Sequence, residues 1–457
     1  MGVDWSAHLC ALASMETVTE LMRIDAGDTS WLLVCTALVF VMVPGLALFY
    51  GALVRAKSTL NMMLMTFVAA GLTAVVWTGY AWSVAFGHGG RLWGGVSQAG
   101  LSGVVTQGTT NGVTYPVPLI AFVMFQLMFA IITVALISGA VADRVRFSAW
   151  CAFVVAWVSL VYAPVAHWVF DFGGADGSGA GWLAQRGLLD FAGGTVVEIN
   201  SGAAGLALAL VVGRRVGWPQ QPMKPHSMPL ALVGAGLLWF GWFGFNAGSA
   251  LQANVLAATA LANTMLAGAA GLLAWLVVER VRDSHPTTLG GASGAIAGLV
   301  GITPSCGFVE PWAALVIGAL AGTVCAFAVR WKYRWRIDES LDVFGVHLVA
   351  GVIGCLSLGF LATTTVNASG RNGLLYGGGT GVLGTQLLAV VVVLGYSFVI
   401  TLVLAKVIDG VMGLRIDTEA EVTGIDLDQH LESAYDLSSA NSGVLGQHSA
   451  AHRSEVN

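Results

Sequence analysis

The chain has 457 residues, of which 56% are hydrophobic and only 10% carry charge, and its formal net charge is −5. A soluble globular domain is about one quarter charged, so this composition excludes one and indicates a polytopic membrane protein. The six cysteines form no CxxC pair and no metal-ligand spacing, and no basic patch suits a nucleic acid, so neither a metal centre nor a nucleic-acid partner is expected.

Along the chain, residues 1–30 are polar, with one arginine and several acids, and lack the basic start of a signal peptide. They are expected to form an extracellular segment. A transmembrane domain is expected over 31–411, because about 20 apolar residues suffice to cross a core of roughly 30 Å. Its spans are drawn at 31–53, 60–87, 116–140, 147–170, 193–213, 227–248, 254–279, 287–303, 309–330, 341–364 and 382–411. The remainder, 412–457, is an acidic tail carrying Asp417, Glu419, Glu421, Asp426, Asp428, Glu432, Asp436 and Glu455. The fold class expected is an all-α membrane protein with eleven transmembrane helices.

The basic residues sort by side. Arg55, Lys57, Arg144, Arg146, Arg214, Arg215, Lys224, Arg280, Arg282, Arg330, Lys332, Arg334 and Arg336 follow odd-numbered spans, and Lys406 and Arg415 mark the last helix end. Only Arg23, Arg91, Arg186 and Arg371 fall on the other side. The positive-inside rule then places the N-terminus outside and the tail in the cytoplasm. Eleven spans divide into five, five and one. Because five is odd, the second set would run inverted, an architecture that builds sites at the midplane. The fifth span opens DFAGGTVVEIN and the tenth DVFGVHLVAG, each an aspartate, a Gly-containing start and one ionisable residue.

That residue is Glu198 in one and His347 in the other. A charge at the bilayer centre is costly, so an intramembrane carboxylate points to function by default. A lone membrane histidine, such as His167 or His347, is more often a buried group satisfied by a neighbouring helix. Phe125 and Phe129 are four residues apart, as are Phe245 and Ser249, so each pair shares a helix face. Such stripes usually pack, but ring faces with one hydroxyl at a pore mouth suit a small cation. GASG at 291–294 also matches the serine motif of rhomboid-type intramembrane proteases, with His347 as a base. The GxxxGxxxG formed by Gly290, Gly294 and Gly298 explains the same segment as close helix packing.

Over nearly its whole length the chain resembles the ammonium transporter (Amt/Mep/Rhesus) family. The resemblance rests on PGLALFYGALVRAKSTLNMM, GAVADRVRFSAW, LDFAGGTVVEIN, KPHSMPL, WFGFNAGSAL, LGGASGAIAGLVGITPSCGFV, DVFGVHLVAGVIG and GIDLDQHLESAYD. It implies a non-enzymatic plasma-membrane homotrimer without cofactors, in which each protomer has its own ammonium/ammonia pore through an inverted five-helix repeat. Phe129, Phe170, Ser249 and Asp190 then fall at the substrate site. Phe125, Phe129, Trp242, Phe245, Glu198 and His347 line the gate and pore, and the tail becomes a regulatory region open to a PII-type partner. Two positions depart from the commonest bacterial pattern: Phe170 stands where a Trp is usual, with Trp168 a candidate to compensate, and Glu198 stands at the first pore histidine, similar to a subset of fungal members. An ammonium sensor acting through the tail is the alternative within the family.

Overall fold

The structure, a computed structural model, describes residues 24–435 apart from 88, 106–108, 111–112, 115–116, 174–178 and 222. Most of the 1–30 segment and the tail beyond 435 lie outside the described residues. Among the described residues, ten helices are long and apolar enough to cross a membrane. They are α1 (Ala26–Leu53), α2 (Ala56–Phe86), α3 (Leu119–Val141), α4 (Phe147–Phe170), α5 (Gly194–Val212), α6 (Met228–Gly248), α7 (Val255–Asp283), α9 (Pro311–Trp335), α10 (Phe344–Leu361) and α11 (Gly381–Met412).

Between α7 and α9 lies α8 (Thr288–Ile302), which has only 15 residues and at 1.5 Å per residue is about 22 Å long. It still joins the two ends of the molecule. Leu289 and Ser293 near its start line a cavity at one end, and a hydrogen-bonded turn after Ile302 carries the chain to Phe308 at the other. The expected all-α class thus holds for the spans. A ribbon of two short strands, Thr109–Thr110 paired antiparallel with Val113–Thr114, is added between α2 and α3.

Helix neighbours repeat at an offset of five. The pairs α1–α2, α1–α3, α2–α3, α2–α4 and α3–α5 pack together, and so do α6–α7, α6–α8, α7–α8, α7–α9 and α8–α10. The two sets meet most extensively through α1 and α6, while α11 lies across α4, α5 and α10. Glycines permit the tightest approaches. A Cβ on Gly234 would sit 2.4 Å from the backbone nitrogen of Phe49, and one on Gly298 would sit 2.2 Å from the carbonyl oxygen of Ala267. Small residues at helix crossings are how membrane helices gain packing without a hydrophobic driving force between them.

Both α5 and α10 begin with a π-helical turn, Gly194–Ile199 and Phe344–Leu348, and these turns hold Glu198 and His347. Such turns leave the regular hydrogen-bond ladder and recur at functional sites. The Asp190 end of α5 faces one vestibule and the Asp342 end of α10 faces the other, so the two helices enter from opposite ends.

At the Asp342 end, buried ions knit together the loops after α1, α3, α5 and α9. Arg215 is clamped by Asp338 at 2.8 Å and by Asp143 at 3.3 Å, and Arg55 lies 3.3 Å from Asp143. Burial favours the neutral acid at Asp338, but the Arg215 hydrogen bonds override it and hold the carboxyl below the usual range. Burial also pulls Arg144 down to about 10. The tail folds back onto this layer as α12 (Thr418–Thr423) and α13 (Ile425–His430). Asp426 accepts from the backbone N–H groups of Leu60 and Asn61 at 3.0 and 2.8 Å, and Glu421 pairs with Arg415 at 2.7 Å.

Candidate substrate pathway

Three cavities lie in a row between the two ends. The first is a vestibule of about 370 Å³ whose lining includes Phe122, Gln126, Phe129, Phe170, Asp190 and Ser249. The second is a lumen of about 20 Å³ bounded by Phe245, Trp242, Glu198 and His347, with Met42, Leu46, Ile132, Leu136, Val197 and Leu238 around it. The third is a vestibule of about 220 Å³ at the Asp342 end, reached past Phe49, Tyr50 and His347, which line the lumen as well.

Between the first vestibule and the lumen, the rings of Phe129 and Phe245 stack with centroids 4.2 Å apart and planes tilted by 23°. Both rings are buried. Phe125 was expected to line the gate; it stands behind Phe129 instead, edge-on at 4.9 Å, and borders none of the three cavities. Trp242 packs 5.8 Å from Phe245, and its Nε1 donates to Thr303 Oγ1 at 2.8 Å, which fixes the indole beside the lumen.

On the vestibule side, Ser249 Oγ donates to the Phe245 carbonyl at 2.9 Å, which leaves the hydroxyl's lone pairs for an incoming N–H. Phe170 lines the same cavity. Trp168 does not replace it: its ring packs on Tyr396 at 4.7 Å and its Nε1 donates to the Leu92 carbonyl at 2.9 Å. Asp190 is not placed as a direct ligand either. Its Oδ1 accepts from the N–H groups of Gly193 and Gly194 at 2.8 and 2.7 Å, and its Oδ2 accepts from the N–H and hydroxyl of Thr195. These are the orphan donors that start α5, so the carboxylate seats the π-turn that carries Glu198.

At the far end of the lumen, His347 Nδ1 lies 2.7 Å from Glu198 Oε2, and both residues are buried. Glu198 Oε1 is buried with no hydrogen-bond partner among the described residues. The pair joins one residue from each set of five helices. His167 has the structural role expected of a membrane histidine: its ring nitrogens lie within 3.0 and 2.7 Å of the carbonyls of Ala85 and Gly90, and Asp171 is 3.2 Å away.

A family model described as the Ammonium Transporter Family matches residues 30–435. The chain belongs to this family. It is 49% identical over 441 residues to an ammonium transporter of Mycobacterium tuberculosis, with 92% of each chain covered. The crystal structure of Saccharomyces cerevisiae Mep2 superposes with a TM-score of 0.80 at 35% identity, over 87% of this chain and 89% of that one. A sensor Amt protein superposes with a TM-score of 0.81 at 26% identity, over 88% and 98%. The family assigns the chain to ammonium transport across a membrane and away from enzymes. Family membership sets the protease reading aside, and Gly294 and Gly298 of its serine segment press against α7 as close helix packing.

Sequence reasoning missed Phe49, Tyr50 and Gln126 as lining residues. The first two lie in a quoted motif, but only the crossing of α1 with α6 turns them to the lumen. Gln126 stands out once the Phe125 and Phe129 stripe is read as a pore wall, because a glutamine side chain is costly to bury within a membrane span.

Proposed function

We propose that ammonium enters at the Asp190 end, which the positive-inside rule assigns to the outside. It is recruited by the Phe129 and Phe170 rings and by Ser249, gives a proton to solvent water at the vestibule, and crosses the lumen as ammonia. The observation that carries this reading is the apolar lumen closed at one end by the Phe129–Phe245 stack and at the other by a single Glu–His pair. A bare cation in such a lumen would lose its hydration without compensation, whereas the neutral molecule would not. With Nδ1 held by Glu198, Nε2 of His347 is the nitrogen that exchanges a proton with the passing molecule. The Asp190 charge, committed to the α5 N-terminus, favours a cation in the vestibule through its field rather than by contact.

Homotrimeric assembly, a plasma-membrane location with the tail cytoplasmic, and a PII-type protein docking near the tail belong to the same proposal, supported by family membership and the charge asymmetry. Transport is favoured over sensing because the curated relatives are ammonium transporters.

The test is ammonium flux and current recorded together in proteoliposomes. Glu198→Gln keeps size and hydrogen bonding but removes titration. It is expected to abolish or sharply change the pH dependence and any coupled proton current. Wild-type flux, current and pH profile in that variant would leave Glu198 as a satisfied structural carboxylate and refute the mechanism.

A further inference from the structure

Among the polar side chains described in the lining of the vestibule at the Asp190 end, Gln126 is the one with a buried polar atom left without a partner. Gln126 lies on α3 between Phe122 and Phe129, lines the cavity with both of them, and is 8% exposed. Its Oε1 is buried without a partner, and no hydrogen bond joins its amide to any described residue. A buried amide is costly to leave unpaired, and most are satisfied by protein or by a bound guest. The terminal torsion of glutamine is broad and two-fold, so a half-turn exchanges the oxygen and the NH2 group toward the cavity without moving the chain.

We infer that Gln126 supplies a second oxygen acceptor for ammonium in this vestibule, in addition to the hydroxyl of Ser249. This deepens the proposed outer site and rests on it. Ammonium presents four N–H donors in a tetrahedron, and rings alone satisfy none of them with a lone pair. Ser249 Oγ is one acceptor within the lining, and its proton is committed to Phe245. The Gln126 amide oxygen is a second, and the faces of Phe129 and Phe170 cover the remaining directions. Once the ion gives up its proton, ammonia offers a lone pair as well. The same amide can then turn its NH2 toward that lone pair, so one side chain serves both forms. With only a phenyl ring at position 170, the directed bond to Gln126 accounts for a larger part of recruitment.

The experiment measures half-saturating ammonium and maximal flux in proteoliposomes for Gln126→Leu, Gln126→Glu and Ser249→Ala. Gln126→Leu removes both ends of the amide at similar size. It is expected to raise the half-saturating concentration about tenfold, the factor for one hydrogen bond to a charged group, with little change in maximal flux. Gln126→Glu keeps an acceptor and is expected to hold or lower that concentration. Should Ser249→Ala shift the concentration while Gln126→Leu leaves it at the wild-type value, Gln126 is no ligand and the outer site stands without it. Should neither shift it, the outer-site reading itself fails. If Gln126→Leu does not assemble in the membrane, a raised half-saturating concentration in Gln126→Glu overturns the inference on its own.

Discussion

Phe170 concentrates the residue-scale question, because a phenyl face attracts a cation less strongly than an indole by up to about 1 kcal/mol. Trp168, two residues earlier on α4, is bonded elsewhere and does not make up the difference. Phe170→Trp is therefore expected to lower the half-saturating ammonium concentration several-fold, and Ser249→Ala to raise it through loss of a hydrogen bond of roughly 0.5–1.5 kcal/mol. Concentration dependence of uptake checks both, and identical curves for the two variants and wild type would show the site to be elsewhere. The sequence made Phe129, Phe245 and Ser249 legible through four-residue spacing. It did not make their meeting legible, since the stack between α3 and α6 depends on packing that no local pattern encodes. Phe125 shares the face of Phe129, yet it backs the gate because neighbours set which part of a face is open.

At the scale of elements, α5 and α10 are the parts whose starts decide function. Asp190 takes up the first N–H groups of α5 much as an N-cap residue does, and replacing such a cap costs typically ~1 kcal/mol. Asp190→Ala is expected to lower thermal stability by that order and to impair flux as well, because the turn it seats carries Glu198. Asp190→Asn keeps part of the capping and is expected to recover more stability than flux, since the charge is gone. Melting temperature and uptake measured on the same preparations separate the two effects, and full flux in Asp190→Ala would remove Asp190 from the mechanism. Helix order and most boundaries were readable from apolar runs and flanking charges, α4 matching residue for residue over 147–170. The departures have physical causes. The start of α1 moves forward to Ala26 because Asp25 caps it, accepting from the Asp28 N–H at 2.8 Å. The π turns were invisible in the sequence, since they arise where a helix is forced to present one extra residue.

For the whole molecule, the duplication was legible only as a faint echo between two helix starts, and it becomes plain in the packing of neighbours five apart. Eleven spans, together with the clustering of basic residues around the tail, support the proposal that the two ends lie on opposite sides. A tag after residue 435 is expected to stay unlabelled by an impermeant reagent in intact cells, and an N-terminal tag is expected to label. External labelling of the tail would sink the assigned orientation. The lumen of about 20 Å³ has one further consequence. A space of that size seats about one water-sized guest. Such a guest has left its water shell behind and meets the Glu198–His347 pair alone, so passage between the two vestibules is expected one molecule at a time.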